Sequence, residues 1–421
     1  MFIPFLFLYC VIVALFHTDA MQGDEDYYYT FARNLLQRFH APQNELNLWS
    51  GPGYPIFLMP FVFLDLPLIT ITLFNALFQY MSVVFLYSVL VIYTTTKRAF
   101  VFSVFWACYY VAYQEMYSIY TESFTIFLIS LILYFSIKAF NEDKLLSINF
   151  LLSGCLIGFL VLTKIIFGYV LLFLILSYLI YTLIKRNSYT KKALLILVVA
   201  LAVNVPYLAY TYNSTNKLFY WGTSGGNILY WSSTPFEGEF GDWNNDTFTA
   251  NCGNSEYIPC NAELFKKNHA TDFEEINKYS GVERDDAFKR IALKNIKENP
   301  LKYLKNCVLN VGRLFFGIPV SYFYQTPTSL LRIPPNSLIL FFLLFNIFIS
   351  ILNIKKLKFE IIFLATVLLV YLGLSITVSA SPRQLSVVVP IIILWTAYSA
   401  QQSVKLKLIW KKTFDDFAAS D

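Results

Sequence analysis

Seven ionisable side chains stand at the margins of apolar segments. They are Asp24, Glu25 and Asp26 in GDEDYYYTFARNLL (23–36), Glu115, Glu122 in TESFTIFLISLILYF (121–135), Lys164 in VLTKIIFGY (161–169) and Arg383 in SASPRQLSVVVP (379–390). A charge at the edge of a bilayer is costly unless it is paired, solvated or used. Carboxylates alone would suit a general base or a cation site. Lysine and arginine beside them favour an anion, and among lipid headgroups the natural anion is a phosphate. A carboxylate base next to a phosphate clamp suits group transfer from a lipid-phosphate donor. The base takes a proton from an acceptor hydroxyl or amine, and the clamp stabilises charge on the departing phosphate. Taken singly, each residue has a plainer explanation. Lys164 could snorkel, Arg383 could cap a helix or anchor an interface, and Glu122 could be hydrogen-bonded between helices. Only their gathering on one face argues for a site.

Whether they share a face depends on the elements that carry them. The chain has 421 residues, 57% hydrophobic and 14% charged, with 41 Phe and 30 Tyr. Soluble domains carry nearer a quarter charged residues. Here apolar runs long enough to cross a hydrocarbon core recur along the chain, so the fold expected is an all-α polytopic membrane protein. The net charge of +5 sits in short clusters between these runs and reads as a topology signal, with no nucleic-acid-binding patch. Lys97–Arg98, Lys138 with Lys144, 185–192 (KRNSYTKK), 355–358 (KKLK) and 405–412 (KLKLIWKK) are the basic clusters. Placing all of them in the cytoplasm predicts about ten spans, at 2–17, 67–93, 99–115, 118–137, 145–162, 165–184, 193–212, 337–354, 359–379 and 384–401. The N-terminal segment lacks a basic flank and a small-residue cleavage site, so it is expected to be a retained helix. Segment 306–324, with Arg313, Pro319 and two glycines, is placed at the interface or as re-entrant. The helical pattern before it, 284–306, should break at Pro300. The division expected is a transmembrane module 1–212 with first outer loop 18–66, an extracytoplasmic or interfacial region 213–335, and C-terminal helices 336–421. All seven charges then fall on the outer side.

With those positions set, the chain resembles the GT-C superfamily of integral-membrane glycosyltransferases, in particular the dolichyl-phosphate-mannose protein mannosyltransferase-like and aminoarabinose-transferase-like enzymes. The family has an outer acid after the first helix, a Tyr four residues on and a small residue eight on; here Asp24, Tyr28 and Ala32 stand there. GPGYPIFLMPF (51–61) resembles the Pro-rich stretch that follows, and Glu122 the second acid opening a later helix. Lys164 in LTK resembles the basic turn residue, and 221–243 (WGTSGGNILYWSSTPFEGEFGDW) the Gly-rich outer segment. KNIKENPLKYLKN (294–306) resembles the late amphipathic helix, and SPRQLSVVVPIIIL (381–394) the Arg-then-Pro start of a late span.

The resemblance implies a sugar transferred from a polyprenyl-phosphate-linked donor to an extracytoplasmic glycan, lipid-linked glycan or protein acceptor, at the outer face of a plasma or inner membrane. It implies Asp24 as base, Glu122 as second acid, and Lys164 and Arg383 as donor-phosphate contacts. Glu25, Asp26, Tyr28, Arg33 and Tyr54 would be supporting residues. Inversion at the anomeric carbon is expected, because a single displacement needs one base. Two departures stand out. WSGPGYP (49–55) lacks the Lys some relatives carry there, and the tail after 401 is short, with no added soluble domain. No cofactor is expected. A carboxylate pair could hold a divalent metal, but the nearer relatives resemble metal-independent enzymes. The three histidines show no metal-ligand spacing. Cys252 and Cys260 share one polar loop, where an oxidising compartment would allow a disulfide, with two unpaired thiols as the alternative. A lipid-linked glycan flippase, a multi-span glycan polymerase or ligase, and a structural partner derived from the family are the competing functions. A flippase should place charges or broken helices at the midplane, and a polymerase or ligase its main charged motif in the large loop.

Overall fold

The computed structural model describes residues 1–38, 40–41, 46–185, 187–248, 262–322, 327–378 and 380–402. Cys252 and Cys260 lie outside the described residues. Among the described residues the fold is all-helical, as the apolar runs require. With no water in the hydrocarbon core, helices satisfy every backbone group within one segment.

Among the described residues, nine α-helices make up the N-terminal part. They are α1 (Ile3–Phe16), α2 (Asp24–Leu36), α3 (Gly53–Phe63), α4 (Leu68–Tyr93), α5 (Thr96–Cys108), α6 (Glu122–Asn141), α7 (Ile148–Thr163), α8 (Ile166–Lys185) and α9 (Ser188–Thr215). Next come α10 (Gly225–Ser232), α11 (Ala262–Ile276), α12 (Gly281–Glu298) and α13 (Pro300–Phe316). The chain then enters α14 (Pro327–Leu352), α15 (Phe359–Val378), α16 (Pro382–Ser386) and α17 (389–402).

Six of these, α4, α6, α8, α9, α14 from Ser329, and α15, are long and apolar enough to cross a membrane. Each coincides with an expected span, and the chain is an integral multi-pass membrane protein. The other expected spans are shorter. Helix α1 has 14 residues, α5 has 13 and α7 has 16, fewer than the roughly 20 that cross upright. The span expected over 384–401 is divided between α16 and α17 by a turn at Val387–Val388.

The span expected over 99–115 stops at Cys108. Beyond it, 109–121 contains Gln114, Glu115 and seven tyrosine, serine or threonine residues, and it folds as irregular chain around one turn of 3-10 helix at Tyr110–Ala112. Side chains take up its backbone groups. Asn75 Nδ2 donates to the carbonyls of Met116 (3.2 Å) and Ser118 (2.9 Å). Glu25 Oε1 accepts from the amide of Ile119 at 2.7 Å. Irregular backbone near the membrane is tolerated where it is satisfied in this way.

Local chemistry sets the helix ends. Ser147 Oγ caps α7 by accepting from Phe150 N at 3.2 Å, and Asn187 Oδ1 caps α9 by accepting from Tyr189 N at 2.9 Å. Pro300 separates α12 from α13 as its missing N–H demands. Helix α13 is strongly amphipathic and does not qualify as a span by length and composition.

Helices α4, α6, α7 and α9 pack in sequence, α8 joins α9 and α15, and α13 bridges α14, α15 and α16. Their inner faces share one apolar core that runs from Phe2 to Tyr398. A second, smaller core of Tyr230, Trp231, Phe265, Phe273 and Phe288 holds α10, α11 and α12 together outside the spans.

Candidate active site

The first turn of α2 holds Asp24, Glu25 and Asp26, where the helix dipole favours negative charge. The three acids have separate fates. Glu25 is buried and acts as a clasp: Oε1 accepts from Ile119 N at 2.7 Å and Oε2 from Gln22 N at 2.8 Å. It locks α2 to the 109–121 segment. Asp26 is exposed and faces away. Asp24 turns inward, and its Oδ2 lies 3.4 Å from Arg383 Nη2.

Arg383 follows Pro382 in the first turn of α16. Its guanidinium lies over the Tyr120 ring at 5.1 Å and its Nε is 4.0 Å from Glu122 Oε1. Glu122 opens α6, and its Oε1 accepts from Lys164 Nζ at 2.9 Å. Lys164 terminates α7, where a cation meets the negative end of the helix. The loop before α3 holds that end in place. A Cβ on Gly51 would lie 2.1 Å from the Leu162 carbonyl oxygen, and one on Gly53 would lie 2.5 Å from Thr163 Oγ1. Only glycine lets the two backbones approach this closely. His40 Nε2 and the Ser50 carbonyl, 2.9 Å apart, tie the chain after α2 into the same turn.

Four residues named from sequence, on four separate helices or helix ends, thus form one chain of contacts: Asp24, Arg383, Glu122, Lys164. Exposure divides them. The side chains of Arg383 and Asp24 are 40% and 30% exposed, and those of Lys164 and Glu122 only 16% and 7%. Glu122–Lys164 is the sealed end of the cluster, and Asp24–Arg383 the end a solute can reach.

Tyr28, one turn after Asp24, supports the cluster from below. Burial pushes its phenol pKa up, and the charges of Asp24 and Glu122 push it further. Its ring stands edge-on to Tyr54 at 5.3 Å, and Tyr54 packs in turn on Phe124 of α6 at 5.9 Å. Ala32, another turn along, is fully buried and lets α2 lie close. Arg33 is not brought to the cluster; it is exposed and lies over Tyr29 at 5.5 Å.

Two neighbours carry no role assigned from sequence: Glu115, one of the seven charges, and Arg332, which was not singled out. Glu115, in the irregular segment, has its pKa raised by burial, while Arg383 and Arg332 pull it down and Glu122 and Glu25 push it up. Arg332 enters because α14 begins at Pro327, about ten residues before the span expected from 337. Its hydropathy window starts late because SLLRIPPNS (329–337) mixes charge and proline with leucine. Among the described residues, no group of three or more His, Cys, Asp or Glu side chains is placed to hold a metal ion.

A second set of acids and bases lies in the module built from α10, α11 and α12. Glu239 Oε2 is 2.9 Å from His269 Nε2, and both side chains are 1% exposed. Tyr230 contacts His269 Nδ1 and donates to Asp272 at 2.8 Å. Glu239 also accepts from Thr234, from Asn268 Nδ2 at 2.8 Å and from Tyr322 at 3.2 Å. Burial would raise the Glu239 pKa, but its hydrogen bond with His269, the charge of that ring, and the Asn268 and Thr234 hydrogen bonds hold it below its ordinary value. Close by, Asp242 accepts from Ser321 N at 3.0 Å, and Arg313 Nη2 donates to the Phe240 carbonyl at 2.8 Å.

Residues 54–210 match the family model for dolichyl-phosphate-mannose-protein mannosyltransferases. The resemblance read from the ordered motifs therefore holds across that segment, which carries Tyr54, Glu122 and Lys164. Among solved structures, that of ArnT from Cupriavidus metallidurans bound to undecaprenyl phosphate aligns over 94% of this chain and 76% of its own, at 12% identity and a TM-score of 0.39. Comparison with curated proteins gives no match.

Proposed function

We propose that this protein transfers a sugar from a polyprenyl-phosphate-linked donor to an extracytoplasmic acceptor, with Asp24 as the general base. The family match over residues 54–210 supports the reaction class. The observation that carries the role of Asp24 is its position at the accessible end of the cluster, 3.4 Å from Arg383, the one cation it faces among the described residues.

In this mechanism the acceptor hydroxyl or amine gives its proton to an Asp24 carboxylate oxygen as its own oxygen or nitrogen attacks the anomeric carbon. The bond from that carbon to the phosphate oxygen breaks, and the electron pair leaves with the polyprenyl phosphate. Arg383 and Lys164 take up the charge that develops there. One displacement inverts the anomeric centre.

Arg383 links donor binding to the release of Asp24. A partly exposed ion pair contributes roughly 0–1 kcal/mol, so little opposes transfer of the guanidinium from Asp24 to an incoming phosphate. Asp24 Oδ2 then loses its guanidinium partner and is free to accept the acceptor's proton once the donor is seated. Glu122 stays paired to Lys164 throughout and keeps both cations in place. The acceptor is a glycan, a lipid-linked glycan or a protein, and the lipid bilayer presents the donor.

The test is a transfer assay with purified protein in lipid, a panel of labelled polyprenyl-phosphate sugars and a membrane extract as acceptor, comparing wild type with Asp24→Asn. Transfer lost in the variant, with melting and donor binding retained, supports the assignment. Equal transfer by both removes Asp24 as base. Flipping of a lipid-linked glycan without transfer in the same vesicles would replace the reading with a transporter.

A further inference from the structure

Arg332 is the second arginine beside the cluster, and no carboxylate among the described residues lies within ion-pair distance of it. Its guanidinium forks onto a neutral acceptor: Nε and Nη2 lie 3.3 and 3.1 Å from Gln114 Oε1. One turn further along α14, Asn336 anchors it from below. Asn336 accepts from Tyr109 OH at 2.5 Å and donates to the Phe315 carbonyl, which pins α14 to both the 109–121 segment and the end of α13. The C-cap of α13 makes room for it. Gly317 has φ +75°, and a Cβ there would lie 3.1 Å from Arg332 Nη1 and 3.4 Å from the Pro382 ring. Arg332 and the residue before Arg383 thus converge on one glycine. Glu115 lies in the field of both arginines. The Tyr110 hydroxyl, in the field of Arg332, is buried and has no hydrogen-bond partner among the described residues.

A guanidinium placed this firmly, yet bonded among the described residues only to an amide, has unused capacity for a bidentate oxyanion. Arg383, by contrast, is already held by two carboxylates. We propose that Arg332, Gln114 and Tyr110 form a phosphate-binding site beside the acid–base cluster. The phosphate belongs either to the donor headgroup or to the acceptor. The proposal rests on the transferase reading only for the names of these two sources.

Two measurements on the full chain in lipid nanodiscs separate the sources. One is equilibrium binding of a polyprenyl phosphate. The other is binding of inorganic phosphate, by phosphorus NMR line broadening, with polyprenyl phosphate saturating. If Arg332 holds the donor headgroup, Arg332→Gln weakens polyprenyl-phosphate binding by at least about tenfold. If it holds an acceptor-borne phosphate, inorganic phosphate binds beside the lipid and Arg332→Gln removes that binding alone. Gln114→Glu supplies a carboxylate in place of the ligand, leaves Arg332 and its anchors intact, and should give the same loss. It keeps the test valid if Arg332→Gln does not fold. Unchanged affinity for both probes in a folded Arg332→Gln or Gln114→Glu protein overturns the site. Sugar transfer that depends on Asp24 while both affinities stay unchanged would leave the enzyme reading standing and remove this one. Phosphate binding that depends on Arg332 in a protein with no transferase activity would do the reverse.

Discussion

The rim of the membrane part and the core of the loop module use the same kinds of side chain to opposite ends. At the rim, Asp24, Glu122, Lys164 and Arg383 meet; in the module, Glu239, His269, Tyr230 and Asp272 do. Acids next to a histidine and a tyrosine look more like familiar catalytic machinery than acids next to arginine and lysine. Capacity decides otherwise. The Glu239 carboxylate accepts from Thr234, Asn268, His269 and Tyr322, and the pair is sealed from solvent. Asp24 faces one long ion pair and stays open. A saturated network has nothing left to offer a substrate, so its energy goes into holding the module together. An unsaturated one at the surface costs little, because water meets its spare capacity until a ligand does.

Breaking each cluster should therefore give different losses. The largest effect expected is on rate: Asp24→Asn lowers transfer by about 10²–10⁴-fold, the usual contribution of a general base, with no change in the melting curve. A drop in melting temperature equal to that of a loop-module variant would erase the distinction. His269→Ala should do the opposite. It leaves Glu239 buried with its main partner gone, a loss on the order of 3 kcal/mol, seen as earlier melting and faster hydrogen exchange in α10–α12. Activity per folded molecule should hold. If transfer per folded molecule falls as far as in Asp24→Asn, the module network belongs to the chemistry after all.

A smaller effect comes from pH within the same module. Asp285 accepts from the amides of Gly226 (2.7 Å) and Asn227 (3.3 Å) at the start of α10. Burial nevertheless pushes its carboxyl up to about 6, with those bonds pulling it back. A raised carboxyl pKa means the folded module binds the proton more tightly than the unfolded chain. Its contribution is fully present below the unfolded value and is lost as pH rises through about 6. Hydrogen exchange of α10 and α12 amides should therefore speed up across that window in the wild type, beyond the intrinsic rise with pH. In Asp285→Asn the step should vanish. Glu239 acts with the other sign, since its lowered pKa gives stability that disappears only below the ordinary carboxylate range. An unchanged step in Asp285→Asn would mean another group titrates there.

How much of this was legible in the sequence follows from what each signal depends on. The six long spans were legible because a twenty-residue apolar run has few other fates. Asp24, Glu122, Lys164 and Arg383 were legible because charges at span edges are rare and must be accounted for, and the structure brings all four together. The early stop of α5 at Cys108 was not. Aromatic residues score as apolar whether they sit in a span or in an irregular rim, and the Asn75 and Glu25 bonds that stabilise that rim come from far along the chain. Arg332 was hidden by the same ambiguity, since a mixed stretch at a helix start reads as loop. The network around Glu239 was invisible, because its members are scattered over 230–322 with no common spacing.

The smallest effect expected is also the sharpest test of the rim. Asp26 and Arg33 share α2 with Asp24, and charge and proximity in sequence would make all three equal candidates. The helix separates them. Asp24 and Tyr28, four residues apart, lie on one face, while Asp26 is exposed and Arg33 lies over Tyr29. Surface substitutions of this kind usually change stability by less than about 0.5 kcal/mol. Asp26→Asn and Arg33→Ala should each leave transfer within roughly twofold of wild type, since a charge screened by water acts weakly on a neighbour a helix diameter away. A loss in Asp26→Asn approaching that of Asp24→Asn would show that the acids of this turn act through a shared field rather than through Asp24, whose carboxylate reaches Arg383. The base would then have to be sought in the field of the whole first turn.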